Sequence, residues 1–409
     1  MTARARRVAA VAIAGLAMLL ALGAWWLARP RSPSSPALAV VEALGGPTDG
    51  FARALTPRPF VFPLDHGPHD AFRTEWWYYT GNLTAAGGRH FGFQLTFFRI
   101  AVAPSMVARA SAWASREAYM AHFALTDTEG RRFSASSRLS RAALGLAGAR
   151  AHPFRVWVED WSAEGVGAAA VPVRLRATQD DVAIDLALTS AKPVVLQGDR
   201  GLDRKGEEPG NASYYYSLTR MPVAGRVTVG GAALDVSGLA WMDREWSTSS
   251  LGADLVGWDW MALQLDDGRD LMLYHLRRRD GAADRYSGGS LVAADGTSRR
   301  LERDEFGIEV LDTWPSPRDG TRYPSRWRVT VPADGLDLEI VPRLADQELN
   351  VAVRYWEGAV RVQGRVRGSP IGGVGYVELV GYARNAARAE KSARQLTVTP
   401  MPRRATIFR

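Results

Sequence analysis

The 409-residue chain contains no cysteine. Disulfide frameworks, thiolate metal sites, cysteine nucleophiles and thioether haem attachment are therefore excluded, as is lipidation of an N-terminal cysteine. Lysine is scarce, three of 51 basic residues, and the remainder are arginine. The common catalytic signatures are missing: no Gly-x-Ser-x-Gly elbow, no Walker-type phosphate loop and no His-Glu-x-x-His helix. Gly165-Val166-Gly167-Ala168-Ala169-Ala170 loosely fits a dinucleotide fingerprint but lacks the preceding buried strand and the βαβ context. His66-Gly67-Pro68-His69 places two histidines on one loop. Pro68 fixes an extended turn there and no third ligand is near, so a surface turn is expected rather than a metal site. No cofactor is predicted.

A strongly charged body is also lacking. The net charge is +8, yet residues 1–31 carry five arginines and no acid, and residues 384–409 carry a net +6, which leaves the body between them at −3. The basicity belongs to the two ends, and a folded nucleic-acid footprint is not expected.

What is present begins with Arg4, Arg6 and Arg7 ahead of an unbroken apolar run, Val8–Leu27. About 20 helical residues span roughly 30 Å of hydrocarbon. Residues 1–31 therefore read as a signal peptide or a retained membrane anchor. Trp25 and Trp26 stand at the far end of the run, and Ala37-Leu38-Ala39 is a distant cleavage candidate. Either form places the body in the periplasm or otherwise outside the cytoplasmic membrane. Residues 32–59 are rich in proline (Pro33, Pro36, Pro47, Pro57, Pro59) and read as a spacer.

From Phe60 onward, short runs of β-branched and aromatic residues alternate with turn pairs such as Gly87-Gly88, Gly230-Gly231, Asp267-Gly268 and Asp334-Gly335. Asp-Gly and Gly-Gly supply the positive φ of tight hairpins. No long helical period follows residue 60. An antiparallel all-β chain is predicted, as a sandwich or barrels. A faint repeat relates Trp77–Arg99 to Trp258–Arg277, each reading strand, Gly-Arg turn, strand, Arg. The offset of about 180 residues is long enough for a second barrel.

Several segments combine rings with acids: Glu75-Trp76-Trp77-Tyr78, Trp241-Met242-Asp243-Arg244-Glu245-Trp246, Gly257-Trp258-Asp259-Trp260, Tyr355-Trp356-Glu357-Gly358 and Gly375-Tyr376-Val377-Glu378. One reading is structural, with rings filling barrels and acids pairing with arginines. The other is functional. A carboxyl flanked by rings is desolvated, so its pKa rises and it can donate a proton. Ring faces can bind polyenes and stabilise a cation. Asp243 and Glu245 lie two apart and share one face of a strand, with Arg244 on the other. These two are the candidate catalytic pair. Glu75, Trp77, Tyr78, Trp241, Trp246, Trp258, Trp260, Tyr274, Glu357 and Glu378 are candidate ligand-binding residues.

These segments, together with Phe93-Gln94-Leu95-Thr96-Phe97-Phe98-Arg99, resemble the AttH family of secreted proteins, whose wider relatives include carotenoid 1,2-hydratases. The resemblance runs from about Phe60 to Tyr382. It implies two tandem lipocalin-like β-barrels, over residues 60–250 and 251–383, followed by a basic tail, 384–409. It also implies an extracytoplasmic protein, often linked with a membrane ABC transporter. Many members carry His between the Asp and Glu of the Asp-x-Glu-Trp motif. Arg244 stands there in this chain, and arginine cannot exchange a proton near neutral pH. The expected function is binding of an apolar small molecule or lipid. The alternative is a hydratase- or lyase-type enzyme acting on a polyene-like substrate, and a third reading is an envelope protein with filled barrels and no ligand. In any of these forms a reporter fused after residue 60 should be active only outside the cytoplasm. Activity inside it would overturn the export expectation.

Overall fold

Buried residues alternate along the outer strands but run unbroken through the central ones, and this difference organises the molecule. The computed structural model describes residues 48–105, 111–167, 169–248, 251–252 and 254–383. The Val8–Leu27 run and the basic tail lie outside them. No helix among the described residues is long and apolar enough to cross a membrane.

The first sheet holds β1 (Thr74–Ala85), β2 (His90–Ala101), β3 (Glu117–Asp127), β4 (Arg132–Arg141), β5 (Ala147–Arg150), β6 (Arg155–Val158) and β7 (Trp161–Gly165). It continues with β8 (Val173–Gln179), β9 (Val182–Leu188), β10 (Val195–Leu196), β11 (Leu202–Arg204), β12 (Ala212–Val229) and β13 (Ala232–Ser247). The second holds β14 (Leu255–Leu265), β15 (Asp270–Arg278), β16 (Gly288–Val292), β17 (Ser298–Glu302), β18 (Gly307–Pro315), β19 (Arg322–Val331), β20 (Leu336–Pro342), β21 (Glu348–Asn350), β22 (Arg354–Val366) and β23 (Ser369–Leu379). Every pairing is antiparallel, in the order β4-β3-β2-β1-β13-β12-β9-β8-β7-β6-β5 for the first path and β17-β16-β15-β14-β23-β22-β20-β19-β18 for the second. The first sheet curls until its ends approach, and Arg138 of β4 pairs with Asp160 between β6 and β7. The chain is all-β, with two tandem lipocalin-like antiparallel barrels.

Both barrel interiors are filled. Trp77, Leu95, Phe97, Phe123, Trp161 and Leu175 pack inside the first. Met261, Leu273, Trp327, Ile340 and Trp356 pack inside the second. The outer faces of β1, β2, β3, β12 and β13 then meet those of β14, β15, β22 and β23 through two further apolar clusters. One contains Phe98, Met120, Leu349 and Tyr355. The other contains Tyr78, Tyr215, Trp241, Trp260 and Met272. Central strands are therefore apolar on both faces, whereas β8 alternates buried and exposed residues. Side-chain amides fasten the contact: Asn82 donates to Gly375 O at 3.0 Å, and Gln264 donates to Thr219 O at 2.7 Å and Ala240 O at 2.9 Å. A Cβ on Gly92 would lie 2.5 Å from Ala359 Cβ, so the absence of a side chain there sets how closely the barrels approach.

The end of the first barrel is plugged by an ionic cluster. Glu75 lies opposite Arg99 in the ladder and accepts from both Arg99 and Arg244, all three fully buried. Burial alone would raise the Glu75 carboxyl, but Arg244 and Arg99 outweigh it and hold it well below the usual range. The His69 amide also donates to Glu75, at 3.0 Å, while the His69 ring stacks on Trp246 with centroids 3.7 Å apart. His66 accepts or donates at 2.6 Å with the Tyr216 hydroxyl. The surface turn expected at His66–His69 is instead a buried stopper. The described part of the expected spacer is likewise docked: Ala54 is buried in the first core and Tyr214 donates to Thr56 O at 2.9 Å.

Glu75→Gln leaves the buried Arg244 without its carboxylate and Arg99 with Glu117 alone. It should destabilise the fold by about 3–5 kcal/mol. Because the folded carboxyl is depressed, its contribution is complete above the ordinary value of 4.5 and is lost as pH falls through the folded value. Chemical denaturation of the variant should therefore show a smaller acid-induced loss than the parent. Equal stability and equal acid slopes would show the cluster to be energetically idle.

Candidate functional site

A largely aromatic pocket lies outside both barrel interiors. It lies between the two, where their outer faces diverge. Its volume is about 1120 Å³, the open mouth included. The first barrel contributes Trp76, Tyr78, Phe98, Tyr215, Asp243 and Glu245, and Lys205 enters from the connection after β11. The second contributes Trp258, Trp260, Tyr274, Tyr355 and Glu378. The lining is thus mainly aromatic, with one cation and three carboxyl groups.

Period-two alternation decides which residues arrive. On β13, Asp243 and Glu245 face the pocket while Met242, Arg244 and Trp246 face the interior. Arg244 is stacked over Trp77 at 3.9 Å, inside the barrel. Its inability to exchange a proton therefore does not bear on the pocket. Seven of the sequence candidates line the cavity: Tyr78, Asp243, Glu245, Trp258, Trp260, Tyr274 and Glu378. Glu75, Trp77 and Trp246 do not. They are interior groups of the first barrel, one residue out of phase with the pocket face, and their assignment to the ligand is corrected. Trp241 does not line the cavity but stands behind Asp243. Glu357 is fully buried and sealed from the pocket.

Asp243 accepts from three donors: Tyr215 Oη at 2.6 Å, Ser217 Oγ at 2.5 Å and Trp241 Nε1 at 2.7 Å. Burial nevertheless pushes its pKa up to about 7; the three donors pull it down, and the nearby Glu245 adds to the rise. Glu378 has one donor, Trp258 Nε1 at 3.0 Å, and is partly accessible through the pocket it lines. Burial raises it too to about 7, with Asp243 and Glu245 contributing. Glu245 is also raised by burial, but Lys205 Nζ at 3.4 Å opposes the rise. Burial disfavours the Lys205 ammonium, yet Asp203, at 2.5 Å, and Glu245 more than compensate and keep it protonated. Asp203 in turn accepts from the Tyr274 hydroxyl at 2.7 Å.

Lys205, Tyr215 and Ser217 were not singled out in the sequence, and Trp76, Phe98 and Tyr355 stood within its aromatic segments without being named as ligand contacts. Lys205 follows a short strand and belongs to no motif; its one signal is being a lysine in an arginine-dominated chain. Among the described residues no group of three His, Asp or Glu is arranged to hold a metal.

Filled tandem barrels with a carboxyl-bearing aromatic pocket at their contact define a two-barrel lipocalin-like protein whose candidate site belongs to neither barrel alone. A model of the AttH-like family matches residues 53–382, and the chain belongs to that family. A structure of an AttH protein from Nitrosomonas europaea is 34% identical, with a TM-score of 0.72, and the alignment covers 81% of this chain and 100% of that one. Kievitone hydratase from Nectria haematococca is 16% identical at a TM-score of 0.61, covering 81% and 98%. CghA in complex with Sch210972 is 15% identical at a TM-score of 0.52, covering 81% and 95%. The latter two share the fold. Among curated proteins none matches the sequence.

The raised value of Asp243 has a defined sign. The folded state holds the proton more tightly than the unfolded chain, so Asp243 lowers stability as pH rises from its ordinary value of 3.8 to about 7, and no further above that. Unfolding free energies measured across this range should decline less steeply in Asp243→Asn than in the parent. Parallel curves would show that Asp243 ionises at its ordinary value.

Proposed function

We propose that the protein binds an apolar, unsaturated small molecule between its barrels and catalyses addition of water across a carbon–carbon double bond, or the reverse. The observation that carries this reading is the placement of two carboxyl groups, one from each barrel, in one aromatic pocket where burial pushes both up to about 7. A group whose pKa lies near the working pH combines the right protonation state with a useful driving force.

Glu378, with a single donor, is the group that holds a proton, and Asp243, with three, is the better stabilised anion. The Glu378 O–H bond breaks and a C–H bond forms at one alkene carbon. The cation left on the neighbouring carbon faces the rings of Trp258 and Trp260, whose π faces favour positive charge. Water forms the C–O bond and passes its proton to the Asp243 carboxylate. Return of a proton from Asp243 to Glu378 through solvent closes the cycle. Kievitone hydratase, on the same fold, supports the reaction class by its name.

The Val8–Leu27 run supports placing this chemistry outside the cytoplasmic membrane, and the AttH resemblance supports a membrane ABC transporter as the partner that moves the ligand. A carrier without catalysis would use the same pocket. The two are separated by incubating the protein with an apolar metabolite extract in ¹⁸O-labelled water. One compound should gain the label only when protein is present, and the rate should fall roughly 10²–10⁴-fold in Glu378→Gln and in Asp243→Asn. Quenching of tryptophan fluorescence by that compound should persist in both variants. A ligand retained but never labelled would make the protein a carrier and overturn the hydration reading.

A further inference from the structure

Glu357 and Glu378 are directly opposite one another in the β22–β23 ladder, on the face that meets the first barrel. Opposed residues of an antiparallel pair have Cβ atoms about 4.5–5.5 Å apart, and like charges there repel. Glu378 opens to the pocket, whereas Glu357 has no exposed surface. Neither oxygen of Glu357 has a hydrogen-bond partner, and the buried hydroxyls of Tyr78 and Tyr376 also lack one. The Tyr78 and Tyr355 hydroxyls come close enough to favour the Glu357 anion, without reaching hydrogen-bond distance and angle.

The surroundings offer no balancing charge. Tyr78 of β1, Tyr355 of β22, and Tyr376 and Glu378 of β23 face Glu357, and no lysine or arginine is among the groups that act on it. Behind Tyr355 stands His122 of β3, which bonds the Tyr355 hydroxyl at 2.9 Å and is kept neutral by burial. Glu378 faces Trp258 of β14 and the acids Asp243 and Glu245 of β13. Two carboxyl groups set opposite each other in a desolvated layer cannot both ionise near neutral pH.

We propose that Glu357 and Glu378 form a carboxyl pair that keeps one proton through the neutral range, with Glu357 as its sealed, neutral member and a positioning residue for Glu378. The role rests on the reading of Glu378 as proton donor. With Glu357 uncharged, the anion left on Glu378 after proton transfer meets no second anion across the ladder. An ionised Glu357 would bind the proton to Glu378 and hold it back from the ligand.

Infrared titration of the ligand-free protein, following the carbonyl stretch of protonated carboxyls, tests the pair without any substrate and so without the hydration reading. The step absent from Glu357→Gln belongs to Glu357, and the step absent from Glu378→Gln belongs to Glu378. The Glu357 step should lie above the Glu378 step. In Glu378→Gln it should move down by about one pH unit, a tenfold loss of proton affinity. Coincident steps, a Glu357 step unmoved in Glu378→Gln, or no step lost in Glu357→Gln would each overturn the pair. Melting curves establish folding of the variants. If Glu357→Gln does not fold, Glu378→Gln alone decides, since a step above the neutral range must move down.

Discussion

Everything distinctive in this structure depends on the burial of one layer of strands on both of its faces. The strands β1, β2, β13, β14, β22 and β23 each serve a barrel interior on one side and the contact between barrels on the other. A residue in this layer has no solvent-facing option. Polar groups placed there must find partners or shift their ionisation. The interior side of β1 solves the problem with Glu75 between two guanidinium groups. The contact side leaves Asp243, Glu245, Glu357 and Glu378 with few cations, and their pKa values rise instead. One constraint thus yields a structural ion cluster on one face and proton-holding acids on the other.

The two solutions differ in what they allow. Glu75 is fixed as an anion by Arg99 and Arg244 and is shut away from any ligand. Asp243, with three hydrogen-bond donors, and Glu378, with one, are surrounded by rings rather than by arginine, so no cation fixes their charge. Lys205 holds an intermediate position: it reaches the pocket, but Asp203 and Glu245 already engage its ammonium group. The second barrel repeats the ionic device in Asp259, which Arg277 meets at 2.8 Å. The repeat seen in the sequence between Trp77–Arg99 and Trp258–Arg277 thus ends, in both copies, on an arginine paired with an acid of the neighbouring strand.

Much of this was legible in the sequence, and for physical reasons. Turn pairs and the absence of helical period indicated antiparallel strands, and the spacing of Asp243 and Glu245 put them on one face. The misassignment of Glu75, Trp77 and Trp246 has the same root as the fold itself. Where both faces of a strand are apolar, alternation no longer marks inside from outside, and adjacent residues such as Trp76 and Trp77 look equivalent. Only the packing of the second barrel distinguishes them. Lys205 escaped because its position depends on a turn that carries no recognisable pattern, and Tyr215 because one ring in Tyr214-Tyr215-Tyr216 cannot be told from its neighbours by sequence.

The strict alternation on either side of this layer also separates two kinds of evolutionary change. On β13 the odd-numbered positions 241, 243 and 245 touch or support the pocket, whereas the even-numbered 242, 244 and 246 belong to the interior. On β14 the order is reversed, with 258 and 260 facing the pocket and 259 and 261 the barrel. The shape and polarity of the pocket can therefore change by substitutions at one parity while the other is held by packing. A lineage can reshape this pocket without rebuilding either barrel, and combinatorial libraries restricted to the pocket parity would vary its lining while leaving both barrel interiors intact.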